Sequence, residues 1–311
     1  MTTLVSIQQG MLERHLHLIG VNYIRVPLPK VTKWKSLPKD INNFIQELSK
    51  IKPDVFFVLK NEHITPNVFQ GIKRVSPRTK IIMWYGDQRG DRVVPLISAR
   101  AKYLDSILIT NKSQKQIGLY HQVGIKHVGT FYHSFCPEEF KEWECDVDKE
   151  VFFGGSNFNS NKFPLSKLRK EFIVRVNRKF NLVVYGGKWP FHSKPWVMRD
   201  QYAKVLRRAS INLGINHYDV YGYYNRRLFE SVASGRLHIT YRINGMEKHF
   251  LPGKHLITFN TVEDGLQKIK YYLNHPGKRE EIAKMGRAHA LEYHSWPVRI
   301  KQFKKVLSNV L

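Results

Sequence analysis

Arg226, Arg227 and Glu230 stand close together in the stretch INLGINHYDVYGYYNRRLFESVASGRLHIT, residues 211–240. A strand leads into a Gly/Tyr/Asn loop, a helix opens on the two arginines, and Ala233-Ser234-Gly235 ends it before another strand. Cations at a helix N-terminus oppose the helix dipole. They make sense when an anion sits there, shared between guanidinium and backbone N–H groups. Glu230 lies about one turn inside, where a carboxylate can accept hydrogen bonds from a sugar diol. The plainer alternative is a solvated helix start with Arg226 and Glu230 as an i,i+4 surface pair.

Short apolar runs alternate with helical periodicity along the whole chain. Runs at 4–7, 23–28, 54–59, 80–84 and 106–109 read as buried strands, with helices expected over 11–19, 38–50, 66–74, 93–103 and 112–123. Such alternation argues for parallel sheets covered on both faces. The period pauses over 131–150, which is expected to be a linker. It resumes with strands at 150–153, 181–185, 211–213, 237–240 and 256–259. Helices are expected over 165–178, 199–208, 227–234, 262–273, 278–292 and 298–307. The expected fold class is α/β, with two Rossmann-like doubly wound domains facing a cleft. The first domain spans 1–140 and the second 150–295, with a C-terminal helix over 296–311 packing back on the first. Ligands of such sheets bind at the carboxyl ends of strands.

Arg227-Leu228-Phe229-Glu230 with Ala233 and Gly235 resembles the R-x-F-E-x-x-A-x-G segment of group 1 nucleotide-sugar glycosyltransferases, in particular the subgroup that includes spore-maturation-like proteins. Their fold is GT-B. Glu150 to Phe153 followed by Gly154-Gly155-Ser156 resembles the first strand and loop of the donor domain. The stretch from Val183 to Trp189 resembles the next strand and its loop, and residues 275–294 the closing helices. The resemblance covers residues 150–305 well. In the first half it is confined to Ile82–Asp87, similar to a W-x-x-D stretch. It implies that Glu230 binds the donor ribose, that Arg226 and Arg227 sit near the diphosphate, and that Gly154, Gly155 and Ser156 approach the phosphates or sugar with bare backbone. It implies a first domain on the acceptor side. It also implies that the donor, a UDP-sugar such as UDP-glucose, is a substrate and that no cofactor or metal is needed. Retaining relatives often carry a second glutamate eight positions before the first; here that position is Gly222. Asn225, Tyr223 and His217 are the remaining candidates to hold the sugar.

Asp87, in WYGDQRGD after the strand at 80–84, is the candidate catalytic carboxylate. An inverting transferase needs such a base for the acceptor proton. Under retention Asp87 positions the acceptor, and its plainer alternative is a turn aspartate. His15, His17 and His133 read more simply as surface or core histidines. Asp146-Val147-Asp148 matches a D-x-D metal signature but precedes a strand, so no metal ligand is assigned.

Charge speaks to partners. Among 311 residues Lys plus Arg number 51 against 25 acidic, a net of +26. Residues 1–145 carry +9 (21 against 12) and residues 146–311 carry +17 (30 against 13), so the second half is the more basic. Self-repulsion opposes compactness, so such an excess points to a polyanion. Lys162, Lys167, Arg169 and Lys170, with Trp189, are the expected acceptor or nucleic-acid contacts, and Lys30, Lys33, Lys35 and Lys39 flank Trp34. Basic residues beside aromatics suit phosphate backbones and unstacked bases. The acceptor expected first is double-stranded DNA bearing hydroxymethylated pyrimidines, as in the bacteriophage DNA glucosyltransferases of this architecture. An anionic lipid or cell-wall polymer at a membrane face comes second, and a non-catalytic nucleic-acid-binding protein third. No protein partner is evident. A hydrophobic content of 42% excludes wholesale disorder. Cys136 and Cys145 alone cannot build a disulfide framework. No apolar run approaches about 18 residues, and MTTLVSIQQG is no secretory signal. The expected location is the cytoplasm.

Overall fold

The computed structural model describes residues 1–6, 12–26, 38–59, 64–87, 93, 95–158 and 163–311. They form two units: residues 1–132 with 296–311, and residues 133–295.

The first unit holds β1 (Thr2–Ser6), β2 (Val21–Arg25), α1 (Pro38–Ile51), β3 (Val55–Leu59), α2 (Pro66–Val75), β4 (Lys80–Tyr85), α3 (Pro95–Ser98), β5 (Ser106–Ile109), α4 (Gln114–Gln122) and β6 (His127–Thr130). Its sheet is parallel throughout, in the order β2-β1-β3-β4-β5-β6. The central strands VFFVL and KIIMWY are nearly continuous apolar runs, as strands covered on both faces require. Two expected helices differ. Residues 13–19 form a 3-10 segment ended by left-handed Gly20. Residues 93–103 break after α3, where Arg100 is buried and faces the Phe69 ring. Strand β6 went unexpected because it is a short, half-exposed edge with no apolar run.

The second unit holds β7 (Lys149–Gly154), α5 (Ser166–Lys179), β8 (Leu182–Tyr185), α6 (Arg199–Arg207), β9 (Ala209–Gly214), α7 (Arg226–Ala233), β10 (Leu237–Tyr241), β11 (Ile257–Phe259), α8 (Val262–Asn274) and α9 (Pro276–His294). Its sheet is also parallel, in the order β11-β10-β9-β7-β8. The chain leaves β7 to one side, for β8, and returns on the other, as β9. The topological switch point therefore lies between the carboxyl ends of β7 and β9, where such sheets bind ligands.

One boundary differs from the expected division. The break falls after Tyr132, and the expected linker is part of the second unit. Phe135 and Phe140 are buried in that unit's core, and Arg287 Nη1 donates to the Phe140 carbonyl at 2.8 Å. The final helix, α10 (Trp296–Val310), belongs to the first unit. Phe303 packs against Phe57 and Phe131 with centroids 5.1 and 5.3 Å apart, and Trp296 meets Trp84 edge-on. This division reverses the charge order of the halves. The first unit carries 24 basic against 8 acidic residues, a net of +16, and the second 27 against 17, a net of +10. Helix α10 moves four cations and no acid to the first unit; residues 133–145 move four acids and one lysine to the second. Among the described residues no helix is long and apolar enough to cross a membrane.

Helix α7 is held against α9 by a close approach at Gly286. A Cβ there would lie 2.2 Å from the His255 carbonyl oxygen and 3.1 Å from Val232 Cγ1. Ala normally improves a helix by about 1 kcal/mol over Gly. Gly286→Ala should nevertheless lower stability, by about 1–3 kcal/mol, because the backbone carbonyl must move. Urea unfolding of the two proteins measures the sign.

Candidate donor-binding site

At the end of β7 the chain runs on as Gly154-Gly155-Ser156-Asn157, laced to the loop after β8. Gly155 N donates to the Tyr185 carbonyl at 2.8 Å, Asn157 N to the Gly187 carbonyl at 2.9 Å, and Gly187 N to Ser156 Oγ at 3.2 Å. Trp189 Nε1 donates to the Gly155 carbonyl at 2.8 Å, and its ring packs edge-on against Phe153. Trp189 is thus a buried pin for the glycine loop, which corrects its expected role as an exposed platform for bases.

Gly155 is glycine because two guanidinium groups occupy the space beside it. A Cβ there would lie 2.1 Å from Arg169 Nη2 and 3.0 Å from Arg227 Nη1. Arg227 Nη1 donates to the Gly154 carbonyl at 3.1 Å. Arg169 is 1% exposed, which corrects its expected place on a nucleic-acid surface. It sits on the apolar face of α5, with its guanidinium 4.9 Å from the Phe153 ring. Nη1 reaches His217 Nε2 at 3.0 Å and, at a long 3.4 Å, the Ile215 carbonyl. Nε and Nη2 have no hydrogen-bond partner among the described residues. Burial, and then Arg227, push the Arg169 pKa well down. A buried cation without a counter-charge costs several kcal/mol. Buried Arg169 and half-buried Arg227 converge on bare backbone, an arrangement able to cradle an anion.

Helix α7 points its N-terminus at this cradle. Asn225 caps it, its Oδ1 accepting from Arg227 N at 3.0 Å, and Asn225 Nδ2 donates to Asn216 Oδ1 at 2.6 Å. Arg226 Nε and Glu230 Oε1 are 3.0 Å apart, so the i,i+4 pair forms, yet Glu230 is only 6% exposed. Its Oε2 has no partner among the described residues. Burial pushes the Glu230 pKa up to about 7, against the pull of Arg226 and Arg227. His217 is pushed the other way, to about 3, by burial, Arg169 and Arg227, so its imidazole is neutral.

The structure gathers Gly154, Gly155, Ser156, Asn225, Arg226, Arg227 and Glu230 at the switch point; Tyr223 is buried in the same loop. His217, a candidate to hold the sugar, lies here too; Arg169 and the half-exposed Trp196, whose ring lies 5.9 Å from the Arg227 guanidinium, join them without having been assigned there. Lys167 and Lys170 lie on the solvent side of α5. Lys162, together with Lys30, Lys33, Lys35 and Trp34, lies outside the described residues, as does the side chain of Lys39. Asp87 belongs to the first unit, two residues beyond β4, and is partly buried. Asp148 is held in a fork by Arg208, through Nη2 and, at 3.1 Å, Nε, which lowers its pKa.

Residues 169–305 match a family model described as glycosyl transferase-like. No curated protein matches the chain. Solved structures of similar fold include HepE from Anabaena in complex with UDP and glucose, at TM-score 0.68 and 10% identity, covering 99% of this chain and 100% of that one. Sucrose-phosphate synthase from Thermosynechococcus elongatus aligns at 0.69 and 11%, covering 100% and 99%. A glycosyltransferase from Rickettsia africae aligns at 0.61 and 13%, covering 99% and 89%. The chain therefore carries a glycosyltransferase-like domain on the GT-B fold.

Glu230 makes stability depend on pH. Its folded pKa lies above the ordinary 4.5, so the folded chain holds the proton more tightly than the unfolded chain. The stabilisation is complete below about pH 4.5 and is lost as pH rises through about 7. Glu230→Gln, always neutral, should therefore be more stable than the parent at pH 8, by about 2–3 kcal/mol, with the difference small at pH 5. Thermal unfolding at both pH values checks it.

Proposed function

We propose that the chain transfers a sugar from a nucleotide sugar, bound at the switch point of the second unit, to a polyanionic acceptor. The Arg169–Arg227 pair carries this reading, because it leaves buried positive charge unanswered until an anion arrives. In the reaction the bond between the sugar's anomeric carbon and the diphosphate breaks, the electron pair going to the phosphate oxygen. The acceptor oxygen bonds to that carbon and gives up its proton. Charge developing on the diphosphate is stabilised by both guanidinium groups and the α7 N–H groups. Glu230 Oε2, an unpartnered buried acceptor, receives a ribose hydroxyl. UDP is the nucleotide proposed, since HepE, of similar fold, holds UDP and UDP-glucose. Asp87 is proposed as the acceptor-side carboxylate, a base under inversion and a positioning group under retention.

Metal independence is part of this proposal, because arginines supply the charge that Mg²⁺ supplies elsewhere. Arg169→Met and Arg227→Ala should each weaken UDP binding by about 1.5–3 kcal/mol, as loss of a charge-assisted hydrogen bond does. Arg169→Met should at the same time raise the melting temperature of the unliganded protein, because a buried unpaired charge has gone. Calorimetry and thermal unfolding read the two effects, and EDTA should leave UDP affinity and transfer unchanged.

The acceptor proposed is duplex DNA carrying hydroxymethylated pyrimidines. A net of +16 on the first unit exceeds what any diphosphate needs. Exposed Lys301, Lys304 and Lys305 lie at i, i+3 and i+4 on α10, and exposed Arg14 stands on the 3-10 segment against which α10 packs. A basic surface holds phosphates while a base is extruded into the active site. Binding to duplex DNA should be insensitive to sequence and should fall with salt. If about five phosphates are neutralised, log K against log salt has a slope of roughly −4 to −5. Charge reversal at Lys301 and Lys304 should flatten it. Band shifts at two salt concentrations, beside sedimentation with anionic liposomes, test this. Capture by liposomes without a DNA shift would transfer the proposal to a membrane-borne acceptor.

A further inference from the structure

A nucleotide sugar is a diphosphate with different groups at its two ends, and the cation pair also has two different flanks. Beside Arg227 stand Trp196 and Tyr202, with ring centroids 5.2 Å apart, and the Glu230 carboxylate, which acts electrostatically on Tyr202. The ribose acceptor and an exposed indole therefore lie on the same side. Trp196 is 39% exposed, and nucleobases stack well on indole faces. That side is the nucleoside end.

Beside Arg169 the surroundings are different. His217 lies 3.0 Å from its Nη1. The His217 ring is 4.8 Å from Phe163 and 5.7 Å from Phe158, and those two are 5.9 Å apart. Phe158 is 41% exposed. Both ring nitrogens approach Arg169 Nη1, Nε2 at 3.0 Å and Nδ1 at 3.3 Å; a guanidinium can only donate, so one nitrogen of the neutral imidazole accepts and the other carries the proton. The alternatives are already committed. Gly222 has no side chain, the Asn225 amide is engaged in capping and in Asn216, and Tyr223 is 5% exposed.

We propose that Phe158, Phe163 and His217 form the seat of the transferred sugar, a pyranose whose apolar C–H face rests on the phenyl rings and whose hydroxyl rim meets the imidazole. The proposal rests on the donor-site reading above and adds direction to it: base toward Trp196, sugar toward His217. A pyranose linked to a phosphate held by Arg169 has the ring cluster within reach. Aromatic rings and a neutral imidazole here take the place of a carboxylate as the sugar's partner. Arg169 is then shared between the diphosphate, through Nε and Nη2, which have no partner among the described residues, and His217, through Nη1.

The test is calorimetric titration of UDP and of the tightest of UDP-glucose, UDP-galactose and UDP-N-acetylglucosamine into the full chain and three variants. Phe158→Ala should keep UDP affinity within about twofold, and Phe158→Ala and His217→Ala should each cut the preference for the sugar nucleotide over UDP by about five- to tenfold, the range of one aromatic contact. Trp196→Ala should weaken both ligands by the same factor. Phe158 is exposed, so its truncation leaves the core intact. The proposal is overturned if UDP and the sugar nucleotide weaken together in the Phe158 and His217 variants, or if their ratio stays at the parent value. A parent protein that binds the sugar nucleotides no better than UDP also overturns it. A parent protein that binds no UDP removes the donor-site reading and this proposal with it.

Discussion

The second unit is arranged around a buried guanidinium whose positive charge has no acidic partner among the described residues. Arg169 is enclosed by Phe153, His217 and the glycine loop, with two nitrogens unpartnered among the described residues. Low dielectric makes that charge expensive in the unliganded state and strongly attractive to an anion. The neighbours follow from it. Gly155 must lack a side chain, His217 must be neutral, and Trp189 must hold the loop so that the space stays open.

The same constraint links stability to binding. Glu230 and Arg169 are both ionisable, buried and incompletely partnered. A folded chain keeps such groups only where the rest of the core over-determines the structure. The parallel sheet, Phe172 against Phe259, and Phe229 against Phe250 supply that surplus around the site. Groups that destabilise the unliganded protein are the ones a diphosphate and a ribose would satisfy.

Most of the scaffold was legible in the sequence, because strands buried on both faces are apolar runs and first-turn prolines mark α1 and α2. The α7 arginines were legible because they contradict the helix dipole. Arg169 was not, because Lys167 and Lys170 surround it in a run that looks solvated. A signal was present: Arg169 follows Leu165 by four and precedes Phe172 and Ile173 by three and four, which puts it on the buried stripe. Trp189 was misjudged for a similar reason, since composition cannot tell an indole pinned to a loop from one in water. The charge balance of the halves misled because a cut at residue 145 leaves residues 133–145 in the first half and α10 in the second, whereas each belongs to the other unit.

The return of α10 to the first unit also sets the order in which the two units are completed during synthesis. Residues 133–295 are continuous and emerge from the ribosome as one block, with every strand of their sheet in hand before α10 is made. The first unit begins earlier but finishes later, because Ile300, Phe303 and Leu307, all buried there, are translated after residues 133–295. The amino-terminal sheet must wait, with the face that receives Phe303 uncovered, while the whole of its neighbour is made. A nascent chain arrested before residue 296 would carry a complete second unit and an unfinished first one.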